Sequence, residues 1–171
     1  MAAFTEDDQD RLDWMLLRDG AVTLYYRRSF FDEDAAWLKD NGYSVHIVDC
    51  TDARQFKLQM TRVFKFEENF GYKPWTGNLD ALNDAFRHLD FDSSAGVALC
   101  FVRFDALLQN NAPSARGTLD ILESRSRDYL LTGKRLLGLV QSDEPFIQVG
   151  PLGCRGPRWN HREWFDDSRR A

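Results

Sequence analysis

A chain of 171 residues is long enough for one domain with a substantial core, since domains of this size bury roughly 70% of their unfolded surface. Its 43% hydrophobic and 13% aromatic content exclude disorder of the whole chain. The formal net charge of −5 is uneven: residues 1–52 carry 12 acidic and 5 basic side chains, the remainder 15 and 17. An acidic protein gains nothing from the counterion release that drives nucleic-acid binding, so direct nucleic-acid contact is not expected. Any role in nucleic-acid chemistry would come from imitating the polyanion.

Cys50, Cys100 and Cys154 are an odd, widely spaced set with no CxxC pair, which points to a reducing compartment. The opening MAAFTEDDQD has neither a basic region nor an apolar run, so no signal peptide is expected there. No stretch approaches the ~20 apolar residues of a membrane span. The expected location is the cytoplasm, with no membrane contact.

Thr5 followed by Asp8 resembles a capping box opening a helix across Leu12, Met15 and Leu16, which Asp19-Gly20 closes. Residues 21–26 (AVTLYY) read as a short strand. A helix over 32–41 follows, with Gly42 suited to its left-handed end. Residues 43–48 (YSVHIV) predict a second, parallel strand. Phe56, Met60, Val63 and Phe64 fall at helical spacing across 52–66, and Gly71, Pro74 and Gly77 mark a loop over 67–77. A helix over 79–89 precedes the apolar run 96–102 (GVALCFV), as expected of a strand buried on both faces. A helical turn over 104–109, a long helix over 114–132 closed by Gly133, and a strand over 136–140 complete the pattern. Strands alternating with helices predict an α/β protein with a parallel sheet of three or four strands. Leu99, Phe101, Leu137 and Leu139 belong in its interior. The expected organisation is one domain over 1–171: an N-terminal helix–strand–helix extension over 1–42, a core over 43–140, and a loop-rich tail over 141–171. Trp159 and Trp164 suggest that the tail docks on the body.

The most informative segment runs Pro74-Trp75-Thr76-Gly77-Asn78-Leu79-Asp80-Ala81-Leu82-Asn83-Asp84. Asn78 is a preferred N-cap, and Asp80 in the first turn complements the helix dipole. Leu79, Leu82, Phe86 and Leu89 form one apolar stripe. Asp80 and Asp84, one turn apart, fall on the opposite side, with Trp75 just ahead and within reach of the same surface. Taken alone, this pattern ordinarily means a solvated acidic helix face.

The string GNLDAL, reached through an aromatic loop and followed by an acidic helix face, resembles the signature of the barstar family. The order and spacing of elements over residues 43–140 agree with it. The resemblance implies a barstar-like fold and an inhibitor whose acidic helix blocks a ribonuclease active site. The acidic positions match Asp80 and Asp84, the aromatic loop matches Trp75, and an acidic position late in the long helix matches Asp128. A large residue usual between the two aspartates is matched by Asn83. Thr76 stands where a glycine is typical, and Thr132 where a further acid is. The implied partner is an extracellular-type ribonuclease or ribonuclease toxin. The altered positions leave room for a regulatory module with another partner, and a carboxylate-based hydrolase using Asp80 and Asp84 is the remaining alternative. No cofactor or metal is expected: Cys154 and His161 are too isolated for a zinc site, and no Walker loop, GxGxxG or GxSxG motif occurs. An enzyme is therefore not expected. His46 reads as a packed strand histidine, His88 as solvated helix surface one turn after Asp84, Arg87 as a border to the acidic face, and Glu67-Glu68 as solvated loop.

Overall fold

The computed structural model describes residues 2–71, 74–153 and 155–170, arranged around a fully parallel five-stranded sheet. In chain order the elements are α1 (Leu12–Leu17), β1 (Val22–Tyr25), α2 (Arg28–Asp40), β2 (Tyr43–Asp49), α3 (Ala53–Val63), α4 (Phe66–Phe70) and α5 (Leu79–Arg87). Then follow β3 (Gly96–Val102), α6 (Phe104–Asn110), α7 (Ala112–Leu131), β4 (Leu136–Gln141), β5 (Arg158–Trp159) and α8 (Asp166–Arg169). The sheet order is β2-β3-β4-β1-β5. Connections that return to the same end of a parallel sheet need crossovers: helices supply them between β1 and β2, β2 and β3, and β3 and β4, while a stretch over 142–157, helix-free among its described residues, leads to β5.

The interior is where the apolar runs placed it. All seven residues of β3 and all six of β4 are buried, with Leu99, Phe101, Leu137 and Leu139 fully enclosed. β1 and β2 are parallel, as expected, but not neighbours: β1 pairs with β4, so the α2 crossover passes β4 and β3 before β2 takes the far edge. The sheet has a strand more than the three or four expected, β5, which adds two residues beyond β1 through Thr23↔Arg158 and Leu24↔Trp159. A strand that short has no periodicity to read.

The helices differ mainly at their ends. The Thr5 N–H and hydroxyl both donate to Asp8, at 2.7 and 2.9 Å, but this closes only a 3-10 turn over Glu6–Asp8. The acidic run before Arg11 has no apolar stripe to bury, and α1 starts only at Leu12, where one begins. The expected helix over 52–66 breaks at Lys65, which adopts a left-handed φ of 48° and starts the short helix α4. Glu67 and Glu68 therefore sit in a helical first turn, not in a loop.

Two buried polar clusters fasten the flanks to the sheet. Asp13 is fully buried and accepts from Arg11, from the Tyr43 hydroxyl at 2.6 Å and from Arg135 at 3.1 Å, tying α1 to the starts of β2 and β4. Burial pushes its carboxyl up, but the bonds from Arg11 and Tyr43 and the charges of Arg11 and Arg135 outweigh it and hold it below the usual range. In the tail, the buried Glu163 carboxylate accepts from the Tyr26 and Arg27 N–H groups at 2.9 and 2.7 Å, just ahead of α2. The start of α2 has no side-chain cap of its own, so an acid 136 residues away in sequence stands in for one. Asp34 gathers Tyr25, Asn160 and Arg162. Burial raises its carboxyl despite those donors.

Candidate functional site: the acidic face of α5 and α7

The site begins with what holds α5 in place. Asn78 caps it, its side-chain oxygen accepting from Asp80 N–H at 2.8 Å and Ala81 N–H at 3.1 Å. Gly77, at φ 102°, makes the turn that delivers the cap, in a region that L side chains rarely adopt. The Asn78 carbonyl starts the helix by accepting from Leu82 N–H, and it also accepts the Trp75 indole N–H at 2.8 Å.

This corrects the expected place of Trp75. It is fully buried, in edge and stacked contact with Phe56 and Phe66, and its backbone N–H donates to the Thr61 hydroxyl. It supports the helix start from inside the core and offers no surface to a partner. A tryptophan ahead of a helix can pack under it or lie over it, and Thr61, fourteen residues upstream, decides for packing under.

The inner side of α5 buries Leu82, Ala85 and Phe86, with Phe86 4.6 Å from Phe64 between ring centres. α7 comes close because position 117 is glycine: a Cβ there would lie 2.4 Å from Leu79 Cδ1. The Tyr129 hydroxyl donates to the Phe86 carbonyl and fastens the other end. α5 is therefore held at its cap, along its stripe and at its last turn, so side chains on its outer face start from a rigid base.

On that outer face Asp80 and Asp84 are exposed, as the helical spacing requires. Among the described residues Asp80 has no ion pair and its carboxylate no hydrogen bond. Asp84 pairs with Arg87 at 3.2 Å, both about half exposed (56% and 55%). Asn83 is half-buried, and its side-chain oxygen accepts from Arg125 Nε at 2.9 Å. Arg125 also donates to Asp128 at 2.7 Å, so one guanidinium joins α5 to the third acidic position. The structure thus brings Asn83, Asp84 and Asp128 to the α5–α7 rim, leaves Asp80 free one turn earlier, and removes Trp75. Arg125 was not anticipated. Its spacing three residues before Asp128 hints at the ion pair, but the bond to Asn83 is tertiary and leaves no local signal.

The other candidate residues take quieter positions. The ring of His88 lies edge-on to Phe70 at 6.0 Å rather than against Asp84. His46 is half-buried beside the Ser44 hydroxyl at 3.1 Å, and burial lowers its pKa. Cys50 and Cys100 are buried, which pushes both thiols up, Cys100 to about 12. Cys154 lies outside the described residues. Among the described residues no helix is long and apolar enough to cross a membrane.

No curated protein and no solved structure matches the chain. A family model does, over residues 41–141, which is more than half of the chain and spans β2 through β4 with the whole α5–α7 face. That family is described as Barstar (barnase inhibitor), and the chain belongs to it.

Proposed function

We propose that this protein is an intracellular, cytoplasmic inhibitor of immunity type that binds a basic ribonuclease or ribonuclease toxin and blocks its active site with the α5–α7 face. The observation that carries this reading is Asp80, without an ion pair among the described residues, on a helix anchored at both ends, beside Asp84, Asn83 and Asp128 on one rim. A ribonuclease holds phosphate with arginine, lysine and histidine. Carboxylates on a rigid helix can take the phosphate's place and accept charge-assisted hydrogen bonds from those donors. Opposite fields would also speed encounter. No bond is made or broken in this mechanism, and the protein itself is proposed to have no catalytic activity.

A second reading has specific support. Arg87 and Arg125 neutralise Asp84 and Asp128 within the protein, and Asn83 offers no apolar centre. These features favour a barstar-like interaction module whose partner is not a ribonuclease and presents acceptors as well as cations. One experiment separates the two. Added to a secreted basic ribonuclease encoded beside its gene, the protein should abolish RNA cleavage at one-to-one stoichiometry. A stable complex with undiminished cleavage would favour the second reading, and RNA cleavage by the protein alone would overturn both.

A further inference from the structure

The outer side of β2 is the one long edge of the sheet. Cys50 N–H donates to the Val102 carbonyl, and the Gly42 carbonyl accepts from Ala95 N–H, so even-numbered residues along β2 aim their backbone groups at β3. Those of Tyr43, Val45, Ile47 and Asp49 therefore point away from the sheet. At Asp49 the Gln59 side-chain amide takes both groups, accepting from the N–H at 3.0 Å and donating to the carbonyl at 3.1 Å. At the other end Tyr43 is buried. Between them Val45 is half-buried and Ile47 is 51% exposed. Among the described residues the N–H and C=O of both have no hydrogen-bond partner, which leaves four backbone groups open in a row. Such an edge is usually guarded by a lysine, a proline or a bulge. β2 has none of these: its seven residues run in unbroken register with β3, and YSVHIV carries no fixed charge.

We infer that this edge pairs with the same edge of a second copy of the chain, antiparallel, about a two-fold axis through His46. In that register Val45 of each copy lies opposite Ile47 of the other, and each pair exchanges two hydrogen bonds. The two pairs use all four open groups of both chains. Moving the axis one residue either way would require Tyr43, which is buried, or Asp49, which Gln59 already holds. Charge favours a copy over a foreign strand. The chain carries −5 in all, but this rim is balanced: Asp49 pairs with Arg103, and Asp52 lines the same shallow hollow beside the edge as Arg62. Burial lowers the pKa of His46, so the axis is uncharged at pH 7. A charged foreign strand finds no opposite field there, whereas this chain's own uncharged strand meets no repulsion. Pairing over so short an edge falls below the standard interface of about 1,200–2,000 Å², so the dimer is weak and reversible. α5 packs on α7 and α7 on β4, two strands away from β2, so each copy keeps its acidic face free. The proposal therefore does not rest on ribonuclease inhibition.

The test joins sedimentation equilibrium of the full chain, from about 10 μM to about 1 mM, with amide exchange over the same range. The expected mass rises from one chain toward two, and exchange at Val45 and Ile47 slows as it does. Ile47→Lys places an unpaired charge on the edge and should weaken association by about tenfold or more at unchanged melting temperature. The register has its own test. Directly opposite, non-hydrogen-bonded residues lie about 4.5 Å apart at Cα, within disulfide reach. His46→Cys in a Cys154→Ser background should therefore form a disulfide-linked dimer with oxidised glutathione. A single-chain mass at about 1 mM, with Val45 and Ile47 exchanging freely, leaves the edge to some other strand and overturns the proposal. Slow exchange in the single chain overturns it too, because the cover then lies within the chain. A two-chain mass without slower exchange at these amides, or one that Ile47→Lys leaves intact, places the interface elsewhere. A mass that grows past two chains refutes the closed two-fold, and failure of the cross-link refutes the axis at His46.

Discussion

Replacing Asp80 and Asp84 singly by alanine should separate binding from folding, and the structure sets a different expectation for each. Among the described residues Asp80 has no ion pair, so its removal should cost the fold only its interaction with the helix N-terminus, about 0.3–1 kcal/mol. Asp84 gives up the pair with Arg87 at 3.2 Å, and at 55–56% side-chain exposure such a pair is worth about 0–1 kcal/mol. Neither change should lower the melting temperature by more than about 4 °C in a chain of this length. Binding should respond more strongly, because a carboxylate desolvated against arginine or lysine leaves those cations unpaired when it is removed, a penalty of about 2–5 kcal/mol. That corresponds to a loss of roughly thirtyfold to several thousandfold in affinity. Before binding, Asp84 must also exchange Arg87 for the partner's cation, so Arg87→Ala should tighten the complex by up to about fivefold, the reverse of the aspartate effect. The assay is calorimetric titration of the ribonuclease with wild type and the three variants, beside thermal melts of each. Equal affinity for wild type and both aspartate variants would show that this face is solvated surface only. A melting drop of 10 °C or more would show that the carboxylates hold the fold instead.

Other expectations follow from the buried groups. Glu163→Ala strips two backbone N–H donors ahead of α2 of a charged acceptor, and at about 1.5–3 kcal/mol per bond the melting temperature should fall by about 10 °C; a drop below about 3 °C would show that water replaces the carboxylate. Trp75→Ala opens a core cavity and removes the indole bond to Asn78, costing about 3–5 kcal/mol in urea denaturation, whereas Trp75→Phe should cost about 1–2 kcal/mol. If instead Trp75→Phe left stability untouched and reduced binding, the residue would be a contact rather than a support. For His46, burial depresses the folded-state pKa, so below pH ~6.5 the unfolded chain takes the proton first. Stability present above that pH should therefore decline as pH falls from ~6.5 toward the lower folded value. His46→Gln should flatten that part of the curve, and an unchanged slope would assign it to another group.

Much of the fold was legible because the decisive signals are local. The run from Gly96 to Val102 has no polar residue, which suits a strand covered on both faces, and β3 lies inside the sheet. Leu82 and Phe86 lie on a stripe that periodicity alone exposes, and Gly42 and Gly133 take positive φ where helices stop. What escaped was tertiary. β5 exists because the tail returns to the edge of β1, and nothing within Arg158-Trp159 announces that. The break at Lys65 separates two stretches that both have helical spacing, so the pattern reads straight through it. At the site, the carboxylates were legible because their exposure follows from the stripe opposite them. Trp75 and Arg125 were not, because Thr61 decides the first and Asn83 the second, each from a different helix.

The position of Arg125 bears on which partners the face can accept. Its side chain is mostly buried, and two of its donors are spent on Asn83 and Asp128, so it is a fixed part of the surface. Removing a partner from such a group costs more than breaking a solvated pair, because the charge left behind has lost part of its hydration. A ligand that pulled Asp128 away from Arg125 would have to supply another acceptor in its place. Asp84 faces no such constraint, since Arg87 is half exposed and can turn to water. The three carboxylates are therefore unequal. Asp80 is available without exchange, Asp84 at small cost, and Asp128 only to a partner that also satisfies Arg125. On the proposed inhibitor reading, a partner carrying only cations would engage the α5 end of the face, whereas full engagement of the rim would require an acceptor set against the guanidinium. On that reading this difference, more than total charge, would discriminate between basic proteins.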